Sequence, residues 1–202
     1  LPTFTNCTIS GNRASSYGGG VYCVHSSPIL INCMISGNSG GDGGLSCWYS
    51  SPTLTNCIVW DNPGGSISLF PDEIEPSIPA VSYSCIQGDP LWLGVGNINQ
   101  DPLFVDPGHW DDNGTPDDTS DDKWVFDYHL QPGSPCIDAG TMTGAPTTDI
   151  EGRIRPCGAG VDIGAYEFGN CWPTPAFIRG DSNSDGATDI TDAIAILSHL
   201  FL

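Results

Sequence analysis

Ser51-Pro-Thr-Leu-Thr-Asn-Cys-Ile-Val-Trp-Asp-Asn62 decides the fold, because the chain writes it three times. Ser27-Pro-Ile-Leu-Ile-Asn-Cys-Met-Ile-Ser-Gly-Asn38 is an earlier copy. Leu1-Pro-Thr-Phe-Thr-Asn-Cys-Thr-Ile-Ser-Gly-Asn12 is an earlier one still, with its first residue missing or altered. Asn6, Asn32 and Asn56 stand 26 and then 24 residues apart, and Gly-Gly-Val-Tyr-Cys23 and Gly-Gly-Leu-Ser-Cys47 keep the same step. A period in the twenties with short β-type runs signals a solenoid, in which no single repeat can bury its own apolar face.

Within the copies the apolar residues are Phe4, Cys7 and Ile9; Leu30, Cys33 and Ile35; Leu54, Cys57 and Val59. Strict alternation would join position 4 to 6, not to 7. Asn6, Asn32 and Asn56 shift the parity, as residues at a corner between two strands do, and Asn tolerates the left-handed backbone such a corner needs. With rungs about 4.8 Å apart, these Asn side chains are expected to form a hydrogen-bonded ladder. A second corner follows at Ser10–Asn12, Ser36–Asn38 and Trp60–Asn62, then a Gly-rich run and a third strand at Val21–Cys23, Leu45–Cys47 and Ile67–Leu69. Three strands and three corners per copy predict an all-β, right-handed parallel β-helix of three to four rungs. An antiparallel sandwich also repeats strands every 8 to 12 residues or so, but it does not require the same residue at the same phase. Cys7, Cys33, Cys57 and Cys85 are expected in one inward column and Cys23 with Cys47 in a second. They read as stacked buried thiols, although neighbouring rungs are close enough for a disulfide.

Composition narrows the partners. The chain has 26 Gly and 17 Pro in 202 residues, which suits a turn-rich body. Five Lys and Arg against 24 Asp and Glu leave a formal charge of −19. Nucleic acid is disfavoured, because phosphate contacts need cations the chain lacks; divalent cations are the natural counterpart. No apolar run approaches the roughly 18 residues of a membrane helix, so no membrane span is expected. Nine Cys is an odd number, so one at least is free or paired between chains. The first residue falls inside a repeat, so a piece or mature part of a longer protein is expected.

After a loop at 70–79, Ala80–Gly88 reads as the last rung. Asp101-Pro-Leu-Phe-Val-Asp106, Asp127-Tyr-His-Leu-Gln-Pro-Gly-Ser-Pro-Cys-Ile-Asp-Ala-Gly140 and Asp149-Ile-Glu-Gly-Arg-Ile-Arg-Pro-Cys-Gly-Ala-Gly-Val-Asp-Ile-Gly-Ala-Tyr-Glu167 follow. With the rungs, these motifs resemble secreted bacterial right-handed β-helix proteins with a "choice-of-anchor" C-terminal region, over residues 1 to about 169. The resemblance implies an extracellular or cell-surface protein. Residues 89–169 are expected to cap the coil, since an uncovered last rung is an unpaired edge. Cys136 and Cys157 lie in the two cap motifs and are expected to pair. Inside the cap, Trp110–Asp122 holds six Asp. Asp111, Asn113, Asp117, Asp118, Asp121 and Asp122 are candidate Ca²⁺ ligands by their oxygen chemistry; the alternative is a solvated acidic loop.

Residues 170–179 read as a linker to a small module at 180–202. In Asp181-Ser-Asn-Ser-Asp-Gly-Ala-Thr-Asp-Ile-Thr-Asp192, Asp181, Asn183, Asp185, the Ala187 carbonyl, Asp189 and Asp192 fall at the ligand positions of an EF-hand Ca²⁺ loop, with Gly186 at its turn. Asp at the last ligand position and the lack of a preceding helix resemble one half of a dockerin type I module, which implies a cohesin-like partner. The exit helix at 192–202, with Ile194, Leu197 and Phe201 on one face, is too short to bury that face alone.

Two functions compete. The first is a Ca²⁺-stabilised extracellular assembly or adhesion protein, joining head to tail into a filament. The alternative is a protein that binds or degrades polysaccharide, with a glycan-stacking patch around Trp48, His25 and Tyr49. Asp42 and Asp61 are the carboxylates in the rungs, neither with an evident partner for hydrolytic chemistry, so no catalytic residue is assigned.

Overall fold

The computed structural model describes residues 1–70, 76–88 and 91–173. The chain divides into two compact units, Leu1–Cys171 and Trp172–Leu202; the Ca²⁺ loop and exit helix expected at 181–202 lie outside the described residues. Rung one holds β1 (Thr3–Thr5), β2 (Thr8–Ser10) and β3 (Val21–Val24). Rung two holds β4 (Ile29–Ile31), β5 (Met34–Ser36) and β6 (Leu45–Trp48). Rung three holds β7 (Thr53–Thr55), β8 (Ile58–Trp60) and β9 (Ile67–Leu69), and a partial fourth holds β10 (Ala80–Ser82) and β11 (Cys85–Ile86). Like strands stack in parallel and in register, giving sheets β1-β4-β7-β10, β2-β5-β8-β11 and β3-β6-β9. This is the parallel β-helix the repeat predicts, and the parallel pairing rules out the sandwich. The described residues contain no helix, hence none long and apolar enough to cross a membrane.

The corners follow from the Asn residues. Asn6, Asn32 and Asn56 have φ of 51°, 49° and 53°, and Tyr83 occupies the same corner of the fourth rung at 47°. The turn lets Leu30, Cys33 and Ile35, and one rung on Leu54, Cys57 and Val59, all face inward, each completely buried. Each such aliphatic side chain contributes about 1.5–3 kcal/mol by leaving water. The paired glycines before the third strand have a steric reason: a Cβ on Gly43 would stand 1.8 Å from the Gly65 carbonyl oxygen.

The Asn ladder forms only in part at this corner. Asn56 Nδ2 donates to Asn32 Oδ1 at 3.2 Å, but Asn6 Nδ2 donates to Thr148 O at 2.8 Å and Asn32 Nδ2 to Gly164 O at 3.1 Å. The continuous ladder is at the second corner. There Asn12 Nδ2 donates to Asn38 Oδ1 at 2.9 Å, and Asn38 Nδ2 to Asn62 Oδ1 at 3.1 Å. Cys85 also departs from expectation. Its register partner is Ile58, so Ser84 continues the column of Cys7, Cys33 and Cys57 and accepts from the Cys57 amide at 3.0 Å.

The covering expected over residues 89–169 is divided. Residues 91–98 lie against the fourth rung, with Tyr83 N donating to Val95 O (2.8 Å) and Ile98 N to Ser84 O (2.9 Å). The remainder runs along the side of the second sheet rather than over the end of the coil. The hairpin β12 (Phe104–Asp111) and β13 (Lys123–Leu130) brings Phe104, Tyr128 and Leu130 together with Cys136, Ile163 and Ala165. These pack on Met34, Ile58 and Cys85, forming a second core. The physical reason is that β5 and β8 are apolar on both faces, so the outer face must also be covered. Trp124 lies over the corner at Gly37, where a Cβ would stand 2.2 Å from its ring.

The disulfide is also corrected. Cys157 pairs with Cys171, and Cys136 is a buried free thiol in the second core. Burial among Phe104, Tyr128 and Cys85 holds Cys136 inside, away from the surface segment that carries Cys157.

Candidate functional site

Period-2 alternation along the third sheet turns Cys23, Leu45 and Cys47 into the core and Tyr22, Val24 and Trp48 outward. The register sets Tyr22 beside Ser46, Ser46 beside Ser68, and Val24 beside Trp48, while Phe70 follows the Leu69 that pairs with Cys47. The small Ser46 leaves room for the preceding turn to fold over it: the Gly18 amide donates to Ser46 Oγ at 3.0 Å. That turn carries Tyr17 across the sheet. Its ring lies 5.3 Å from Tyr22, 6.4 Å from Trp48 and 5.5 Å from Phe70. Trp48 is in turn 5.7 Å from Phe70 and 6.0 Å from Tyr49, which stacks on His25 at 4.7 Å.

Six rings from three rungs thus make one surface. Tyr17, Tyr22 and Trp48 remain 46%, 40% and 37% exposed. The sequence reading had Trp48, His25 and Tyr49; it missed Tyr17, Tyr22 and Phe70. The signal was present in the phase, since Val24, Trp48 and Phe70 share one column once Val21, Leu45 and Ile67 are aligned.

Asp42 borders this surface. Its carbonyl accepts from Ser68 Oγ at 2.9 Å, and its carboxylate Oδ2 is buried without a hydrogen-bond partner among the described residues. Desolvation, then the neighbouring Tyr17 and Asp42, push the Tyr22 hydroxyl above its ordinary pKa. Asp61 belongs to another corner, after β8, where its amide donates to Gln87 Oε1 at 2.8 Å.

Among the described residues the third sheet has one strand fewer than the other two, and β9 is its last strand. Against it opens a cavity of about 660 Å³ lined by Ile67, Leu69, Ile78, Ile86, Leu91 and Trp92. Leu93, also in its lining, is 91% exposed.

The residues that carried the family resemblance prove to be structural. Arg155 and Glu167 form a completely buried ion pair at 2.6 Å, and Glu167 also accepts from the amides of Cys157 and Asp162. Asp149 accepts from the amides of Glu151, Arg153 and Glu167. Nearer the surface, His129 bridges two carboxylates: Nδ1 lies 2.6 Å from Asp127 and Nε2 3.0 Å from Glu151. Its ring also sits 4.5 Å from Tyr166. Burial opposes charge on His129, but the hydrogen bonds to Glu151 and Asp127 outweigh it and hold its pKa above the ordinary value.

In the acidic loop the structure brings Asn113 and Thr115 to Asp121, at 3.1 and 2.9 Å. Asp111 accepts from the Asn113 amide and Asp118 from Ser120, each closing its own turn. Asp117 and Asp122 flank these turns. Among the described residues no group of three or more His, Cys, Asp or Glu is placed to hold a metal ion.

A family model for the right-handed β-helix region matches residues 2–88. Neither the curated proteins nor the solved structures yield a match to the chain. Fold and match together define the class: a right-handed parallel β-helix of about three turns. The matched residues are the rungs themselves, so the similarity extends to the scaffold that presents the aromatic surface.

Proposed function

We propose that the protein is an extracellular carbohydrate-binding β-helix whose ligand lies along the outer face of the third sheet. The carrying observation is the continuous cluster of Tyr17, Tyr22, Trp48, Tyr49 and Phe70, of which Tyr17, Tyr22 and Trp48 are exposed. Exposed apolar patches of this kind mark interaction sites, and flat rings match the C–H faces of pyranose sugars while leaving the hydroxyls wet. Two rung steps span on the order of 10 Å, enough for successive sugars of an extended chain. With each ring contact worth about 0.5–1.5 kcal/mol, affinity should be weak for a short oligomer and build with chain length. The Cys157–Cys171 disulfide supports an oxidising compartment.

The test is titration calorimetry of the whole chain against a panel of neutral and charged oligosaccharides. Trp48→Ala and Tyr17→Ala are each expected to weaken the best ligand about tenfold, equivalent to about 1.4 kcal/mol. Unchanged affinity in both variants would refute the reading.

A second reading, Ca²⁺-supported self-assembly or docking to a cohesin-like protein, is favoured by the outer edge of β9, which pairs with no strand among the described residues, and by its apolar cavity, since such an edge invites another strand. The 181–192 loop would supply the Ca²⁺ site. Sedimentation velocity with Ca²⁺ and with a chelator tests it: the reading expects larger species only with Ca²⁺, and a monomer in both conditions sinks it.

A further inference from the structure

The aromatic surface is not chemically neutral. Asp42 stands at its margin with one carboxylate oxygen buried and unpartnered among the described residues. The ring faces themselves present negative potential, which attracts a cation as well as a sugar face. The described cations are engaged elsewhere. Arg13 lies 3.9 Å over Trp110, Arg153 pairs with Glu151 at 2.7 Å, Arg155 is buried against Glu167, and Lys123 belongs to β13 of the hairpin. A uronate or sulfated glycan would therefore meet aromatic rings, a carboxylate and a chain of charge −19, which disfavours it at every range.

Resting on the carbohydrate reading above, we propose that the glycan taken by this face carries free amino groups. A polymer of unacetylated hexosamine fits, its sugars stacked along Tyr17, Trp48 and Phe70 and an ammonium set against the Tyr22 ring and the Asp42 carboxylate. The ammonium pairs with the half-buried Asp42 carboxylate from its solvent side through a charge-assisted hydrogen bond. A neutral hydroxyl would satisfy it less strongly, and an acetamido group would replace the ammonium charge with a bulkier neutral amide.

The experiment titrates the whole chain with hexameric β-1,4-glucosamine, its fully N-acetylated counterpart, a galacturonate hexamer and spermine, at low and at physiological salt. The expected result is at least fivefold tighter binding of the amine hexamer than of the acetylated one. That advantage should shrink with salt and vanish above the pKa of the sugar amine. Asp42→Asn should erase the preference by bringing the two hexamers to equal affinity, whereas Trp48→Ala should weaken both and keep their ratio. Equal affinity for the two hexamers, or an amine preference that survives Asp42→Asn, overturns the proposal but leaves the carbohydrate reading standing. Spermine binding as tightly as the amine hexamer overturns it too, because the face would then read charge alone. No binding of any oligosaccharide overturns both.

Discussion

Asn38→Ala removes the middle of the Asn12–Asn38–Asn62 ladder, and its cost can be worked from the contacts. The side chain is completely buried. Its Nδ2 donates to Ile9 O (2.8 Å), Ser36 O (3.2 Å) and Asn62 Oδ1 (3.1 Å), while its Oδ1 accepts from the amide and side chain of the exposed Asn12. Water can replace the partners of Asn12. It cannot easily reach the buried carbonyl of Ser36, whereas Asn62 Oδ1 keeps the Asn38 backbone amide as a donor at 3.0 Å, so one group left short of a donor gives a loss of about 1–3 kcal/mol. For a domain of ordinary stability, about 5–15 kcal/mol, that is a large fraction. Urea unfolding followed by tryptophan fluorescence should show a midpoint lowered by on the order of 1–2 M with an unchanged slope. Asn12→Ala, at the exposed end of the same ladder, is the control and should cost less than about 1 kcal/mol. If the two variants shift the midpoint equally, the ladder is not what holds this corner.

Two further outcomes follow from the segment beside the coil. His129 has a folded pKa raised by Glu151 and Asp127, with Arg153 and Tyr166 its other titratable neighbours. Its contribution to stability is therefore complete below the unfolded value of about 6.5 and is lost as pH rises through the folded one. The melting temperature should fall between those values in the wild type, and the corresponding step should be missing in His129→Gln. Gly37→Ala forces a Cβ into the Trp124 ring at φ +66°. It should cost more than the roughly 1–2 kcal/mol of a left-handed alanine, and the excess should disappear when Trp124 is also replaced by Ala, read as a double-mutant cycle in urea.

The repeat made the coil legible because a solenoid writes its geometry locally. Asn6, Asn32 and Asn56 announce a left-handed corner, and the three strands per rung follow from the residues between corners. What lies against the coil was harder to place, since it depends on contacts between residues far apart in the chain. Even so, Met34-Ile35 and Ile58-Val59 carry a trace of it. Two consecutive apolar residues in a strand put one on each face, and only the inner one can enter the core. The outer pair, Met34 and Ile58, therefore required a cover along the side of the second sheet, which the hairpin and the segment from 136 to 165 provide.

The same parity rule assigns the third sheet the opposite fate. Its outward residues Tyr22, Val24, Trp48 and Phe70 are as apolar as Met34 and Ile58, yet Tyr22 and Trp48 stay 40% and 37% exposed. Three of these four are aromatic where the covered positions are aliphatic. Five of the six rings in the cluster carry a polar atom suited to water at the edge: three Tyr hydroxyls, the indole N–H and the His25 imidazole. A face needing only burial would be satisfied by the aliphatic residues used on the second sheet. Rings with wet edges, beside an unpartnered carboxylate, are the residues expected where the cover is a ligand that comes and goes.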